Sequence, residues 1–173
     1  MLNNMKLQIL SDLHIDSYAR QSHPVGHIPK TDADLVLVAG DTANSDKGMP
    51  WLQEQAARLE VPLITIAGNH EYFDEDVLSF DYKLATWDNY DTASKKGVRV
   101  LQCQHIDIGD IRLLGCTLWT DYQYHANEDT MAAARHFMRD YKQIYAGNEL
   151  FSPEVSMQIH AEHRQWLQQA LIE

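Results

Sequence analysis

Asp34-Leu35-Val36-Leu37-Val38-Ala39-Gly40-Asp41-Thr42-Ala43-Asn44 is the stretch that decides the fold. Its first half is a continuous apolar, β-branched-rich run, the pattern of a strand buried on both faces of a parallel sheet, and it stops abruptly at glycine and polar residues. The same arrangement stands on either side. Lys6-Leu7-Gln8-Ile9-Leu10 runs into Ser11-Asp12-Leu13-His14, and Pro62-Leu63-Ile64-Thr65-Ile66-Ala67 runs into Gly68-Asn69-His70-Glu71. Asp12, Asp41 and Asn69 follow one another at intervals of 29 and 28 residues, about the length of one strand-crossover-strand unit. Residues 49–60 read as the helix of the second unit, with Pro50 in its first turn and Trp51, Leu52, Gln55, Ala56 and Leu59 on one face. Residues 21–30 carry two prolines and a glycine and read as a loop.

In an open α/β sheet, ligands bind outside the carboxyl ends of the strands, and all three polar clusters fall there. Taken singly, each has an ordinary reading: Asp12 as a helix cap, Gly40-Asp41 as a turn, His70 as a loop histidine. Their coincidence at one end of three successive strands points to a site. Carboxylate, imidazole and amide donors suit hard or borderline divalent cations such as Mn, Fe, Zn or Mg, whereas soft metals want thiolate. Asp12 and His14 are two residues apart, so an extended chain turns both to one side. Asp41 can bridge two cations, and Asn69 can hold one without adding charge.

The series Asp12-x-His14, Gly40-Asp41-x-x-Asn44 and Gly68-Asn69-His70-Glu71 closely resembles the first three motifs of the calcineurin-like metallophosphoesterases. The resemblance implies an α/β fold, a metallophosphoesterase-like αββα sandwich, and a metal-dependent hydrolase of phosphomonoesters or phosphodiesters. It implies Asp12 and His14 as ligands of a first metal, Asp41 as the bridge and Asn69 as a ligand of a second. His70 becomes the catalytic general acid, or at least a donor to the phosphate, and Asn44 orients the loop or its neighbours. An imidazole suits proton donation near neutral pH.

The family completes its site with later histidines, including a Gly-His-x-His sequence, and neither is present after Glu71. His105, His125, His136, His160 and His163 follow no glycine and no strand-like run. His160 and His163 lie three apart on an expected helix, where they either chelate or, as the ordinary reading has it, face solvent. The chain thus resembles the first two thirds of such a domain, lacking its C-terminal strands. With three protein donors for the first cation and two for the second, one cation is expected to be well held and the second weak, with reduced or absent turnover. The alternative is a degenerate, non-catalytic relative that binds metal or phosphate or serves assembly, and an uncovered sheet edge favours self-association as a homo-oligomer.

A length of 173 residues fits one domain over 1–173 with a substantial core. Hydrophobic and charged fractions of 45% and 23% are ordinary for a globular chain, and the net charge is −11. So acidic a chain, with no basic run longer than Lys95-Lys96, argues against bulk nucleic acid and anionic membrane as partners. Metal-mediated chemistry on a small phosphoester remains open. Neither a signal peptide nor an 18-residue apolar segment is visible, so a cytoplasmic setting is expected. Cys103 and Cys116 are too few for a disulfide framework.

The remaining chain reads as further α/β structure. Val98–Gln104 and Ile111–Leu118 flank Gly109-Asp110, a pair suited to a two-residue hairpin turn, with Ile108 facing Ile111 and Cys103 facing Cys116. Those cysteines are near enough for a disulfide, though a reducing compartment favours thiols and packing. Helices are expected over 74–87, with Val77, Leu78, Phe80, Leu84 and Trp87 inward, and over 128–145, with Met131, Ala134, Met138 and Tyr141 inward. A last helix starts at Ser152-Pro153-Glu154, with Val155, Ile159, Trp166, Ala170 and Leu171 inward. The aromatic stretch from Trp119 to Tyr124, ending at His125, lines a substrate cleft or inserts into the core.

Overall fold

The computed structural model describes residues 5–20, 26–91, 93–94, 96–124 and 128–172. Four parallel strands, β1 (Leu7–Leu10), β2 (Leu35–Val38), β3 (Leu63–Thr65) and β4 (Val98–Val100), form a sheet in that order. Leu10 pairs with Val38, and Val38 with Thr65, so the first three strands end level. Their following loops emerge side by side, which is what a shared site requires.

Alternation along the strands feeds two apolar layers. Val36, Val38, Leu63, Val98 and Val100 face the larger core, while Leu35, Ile64 and Leu101 face the opposite side. Into the larger core α2 (Gly48–Leu59) sends Met49, Leu52, Ala56 and Leu59, a helical stripe, and α3 (Phe80–Trp87) sends Phe80 and Leu84. A short α1 (Ile15–Arg20) follows β1. On the opposite side a hairpin, β5 (Gln104–Ile108) and β6 (Ile111–Gly115), lays Ile106, Ile108 and Leu113 against the sheet. Gly109 takes φ 61° in its turn, and Ile108 pairs with Ile111 as the sequence leads one to expect. The hairpin covers this side only in part: Ile9 is 66% exposed, and an apolar cleft of about 160 Å³ remains between Ile9, Leu37, Ile64 and Leu113.

The chain continues through α4 (Glu128–Phe137), α5 (Asp140–Gln143), a small hairpin of β7 (Tyr145–Ala146) and β8 (Glu149–Leu150), and α6 (Pro153–Ala170). Ser152 caps α6, its Oγ accepting from the Val155 N–H at 3.3 Å, with Pro153 in the first turn. No helix among the described residues is long and apolar enough to cross a membrane.

Several elements differ from the sequence reading. The helix expected from residue 74 begins at Phe80, because the Asp76 carboxylate accepts from the backbone of Leu78 and Gly147 and holds 74–79 in turns beside the β7–β8 hairpin. Leu78 is consequently exposed, as are Met138 and Leu171. The helix expected over 128–145 breaks after Phe137 and restarts at Asp140. The run from Val98 divides at Cys103, whose φ of 46° turns the chain from β4 into β5. Cys103 and Cys116 are free thiols, and a sulfur hydrogen bond between them raises the Cys103 pKa and lowers that of Cys116. His160 and His163 do not form a solvated helix surface. His163 is buried, and the His160 Nδ1–H donates to the Leu118 carbonyl at 3.0 Å. His125, Lys95 and residues 21–25 of the expected loop lie outside the described residues.

Candidate metal centre

The first two loops are bound to each other through their backbones, and the third is tied to the second by side chains. Beyond the strand ends, Asp12 N–H donates to the Gly40 carbonyl (3.2 Å), His14 N–H to Asp41 (3.0 Å) and Ile15 N–H to Thr42 (2.9 Å). That path forces left-handed backbone at Asp12 (φ 53°), His14 (φ 42°) and Asp41 (φ 55°). Such conformations cost about 1–3 kcal/mol each and persist only where their surroundings over-determine them. A Cβ on Gly68 would stand 2.1 Å from Asp41 Oδ1 and 2.7 Å from its backbone nitrogen, so only glycine lets the second and third loops touch.

Glu71 supplies much of the over-determination. Its buried carboxylate accepts from the backbone N–H groups of Thr42 (2.7 Å), Gly68 (2.8 Å) and Asp41 (3.0 Å). Burial pushes its pKa up to about 7, against the pull of the Gly68 and Thr42 donors. The sequence motif contains Glu71 without revealing this role.

Around that frame, His14, Asp41 and His70 bring one ligand atom each to within 4.8 Å of one another. The two imidazole rings meet edge to face with centroids 4.3 Å apart. Asp41 Oδ1 also accepts from the His70 backbone N–H at 3.0 Å, tying the bridging candidate to the third loop. His70 Nδ1 lies 2.8 Å from Asn44 Oδ1. An amide oxygen only accepts, so Nδ1 carries the proton and Nε2 keeps its lone pair. Burial lowers the His70 pKa, helped by the charges of His14 and Arg139 and opposed by Asp41 and Asp140.

Asp12 and Asn69 lie to one side of this cluster. With Asp41, Asp140, Trp119 and Tyr141 they line a cleft of about 270 Å³ that opens beside it. The five expected residues therefore gather at the ends of β1, β2 and β3, with Asp41 common to the cluster and the cleft. Two imidazoles and a carboxylate are a donor set that fits a borderline or hard divalent cation; Cys103 and Cys116 are not part of it.

The far wall of the cleft comes from later chain. Thr117 is held by the Gln102 amide oxygen (3.0 Å to its N–H) and by the Tyr72 hydroxyl (3.2 Å). Ser156 Oγ donates to the Thr120 carbonyl at 2.9 Å. Trp119 both lines the cleft and packs on Phe151 and Tyr72, with centroids 4.7 and 5.2 Å away. Of the two roles its sequence reading left open, the packing into the core is observed. Asp140, which no sequence signal marked, is buried at the start of α5 and accepts from Asn69 Nδ2 at 2.7 Å.

A family model described as calcineurin-like phosphoesterase matches residues 5–165. The chain belongs to the calcineurin-like phosphoesterase family. The family assignment covers the strand-end loops and the far wall alike. Among solved structures, the phosphopantetheinyl hydrolase PptH from Mycobacterium tuberculosis is similar in fold, with a TM-score of 0.68 and 20% sequence identity over 95% of this chain. The chain spans 63% of the length of that structure. No curated protein matches the sequence. The calcineurin-like phosphoesterase fold agrees with the resemblance carried by the three motifs.

Proposed function

We propose that this chain hydrolyses phosphomonoesters or phosphodiesters at the carboxyl ends of β1, β2 and β3. The observation that carries the reading is the convergence of His14, Asp41 and His70 donor atoms within 4.8 Å, beside a cleft lined by Asp12 and Asn69. When bound, divalent cations (Mn, Fe, Zn or Mg) supply Lewis acidity towards the phosphoryl group and an acidified water for attack. Asp12, His14 and Asp41 would hold the first cation, with Asp12 offered from the adjoining cleft, and Asp41 and Asn69 would serve the second. Protonated at both ring nitrogens, the His70 imidazolium gives its Nε2 proton to the leaving oxygen and returns to the Nδ1–H form that Asn44 orients. Trp119, Met138 and Tyr141 offer apolar surface to the organic part of a small ester.

One observation favours the rival reading, a non-catalytic relative with one well-held cation. His160 and His163 pack within the fold, and no further His, Cys, Asp or Glu among the described residues joins the cluster. Hydrolysis of an aryl phosphate with added Mn²⁺, compared between the native chain and Asp41→Asn, decides between them. Brisk hydrolysis lost in the variant supports the enzyme. Equal rates remove Asp41 from the chemistry, and absent turnover with one bound cation supports the rival. Self-association through the partly covered side of the sheet, where Ile9 is exposed, belongs to the same proposal and is read by the elution volume of the native chain.

A further inference from the structure

We propose that Asp140 is the positioning residue for Asn69, fixing which end of that amide faces the cation; the inference rests on the reading of Asn69 as a metal ligand. Asp140 is a charged side chain only 5% exposed, and it lines the same cleft as Asp12, Asp41 and Asn69. It reaches the cleft because the helical run breaks after Phe137 and restarts at Asp140 itself. Its Oδ1 stands 2.7 Å from Asn69 Nδ2.

An ionised carboxylate accepts and cannot donate, so the Asn69 amide must turn its NH₂ towards Asp140. The carbonyl oxygen, on the other branch of the same planar group, is thereby turned away from Asp140 and freed to act as a donor to a cation. Without the carboxylate, the amide has no reason to prefer that orientation. The reversed one would present N–H groups to the cation and repel it. Groups that orient a metal ligand from behind typically change metal affinity by about 10–100-fold when removed. Asp140 stands 71 positions from its partner in sequence, so no local motif announces it.

The test uses three measurements on the full chain. In the metal-free native protein, the Asn69 side-chain amide resonances, assigned by their loss in Asn69→Ala, should be displaced by the charged acceptor and return towards ordinary values in Asp140→Leu. In a titration with MnCl₂, Asp140→Leu should weaken the weaker binding step by about 10–100-fold. Asp140→Asn, whose amide oxygen still accepts from Asn69, should stay within a few-fold of native. In an Asn69→Ala background, Asp140→Leu should change Mn²⁺ affinity no further. Native-like affinity in Asp140→Leu overturns the proposal. So does equal weakening in the Leu and Asn variants, since that assigns Asp140 a charge role, and so does a full additional loss in the Asn69→Ala background. A native chain that shows the displaced amide resonances yet binds no divalent ion overturns the proposed function and leaves the Asp140–Asn69 contact itself standing.

Discussion

The two walls of the cleft are held by different kinds of force. The wall from the ends of β1, β2 and β3 is stitched through backbone groups, with left-handed residues at Asp12, His14 and Asp41 and one buried carboxylate, Glu71, gathering three N–H groups. The wall from 117–120 and α5 is held by side chains reaching across long stretches of sequence: Gln102 and Tyr72 to Thr117, Ser156 to Thr120, Asp140 to Asn69. The first wall sets where donor atoms sit. The second shapes the cleft and admits variation one contact at a time.

The sharpest way to break this contrast is Glu71→Ala. Three N–H groups lose their acceptor at once, that of Thr42 buried and those of Asp41 and Gly68 half-buried, so a loss of stability of about 2 kcal/mol or more is expected, together with loss of Mn²⁺ binding. Urea unfolding measures it; a shift below about 1 kcal/mol would show that water replaces the carboxylate and that the two walls do not differ.

Next in size is a pH effect carried by the same residue. The folded-state pKa of Glu71 is raised by burial from 4.5 to about 7. Between those values the folded chain binds more protons than the unfolded one, so this group's contribution to stability is full below about pH 4.5 and falls as pH rises towards 7. His70 acts in the opposite sense below its ordinary value, because a lowered folded pKa means that stability falls as pH falls. Glu71→Gln should remove the first slope and leave the second. An unchanged pH profile of the unfolding midpoint would contradict the assignment.

On the second wall, Ser156→Ala removes the contact to Thr120 and should cost about 1 kcal/mol. It should raise KM for an aryl phosphate while leaving Mn²⁺ affinity at the native value, and equal losses in both would mean that the walls are coupled. The smallest effect expected is that of Arg139→Ala. This exposed guanidinium lies over the Phe73 ring, 5.0 Å from its centroid, and its charge reaches His70. Its loss should raise KM by a few-fold at low salt and by less at high salt, as for a charge that attracts an anionic substrate.

The same contrast explains what could be read from the chain. The first wall is local: an apolar run, a stop, and ligand residues within four positions of the stop, repeated at even spacing. Asp12, His14, Asp41, Asn69 and His70 were therefore legible, and the structure gathers all five at one end of the sheet. Glu71 was visible as a letter but not as a role, because accepting from backbone groups leaves no trace in side-chain pattern. Asp140 was hidden, since periodicity runs through 128–145 without marking the break that brings it to the cleft. His160 and His163 misled for a related reason: helical spacing identifies a face but not what a distant segment, here 118–121, will lay over it.

The left-handed backbone at Asp12, His14 and Asp41 has a consequence for anyone who engineers this chain. Glycine adopts that conformation at little cost, so Asp12→Gly or Asp41→Gly removes strain along with a donor. A library sorted only on heat resistance or expression would be drawn towards such changes and would discard the candidate ligands one by one. Selection for ligand retention and selection for robustness pull in opposite directions at these three positions, and a sorting scheme for this chain has to include cation binding from the first round.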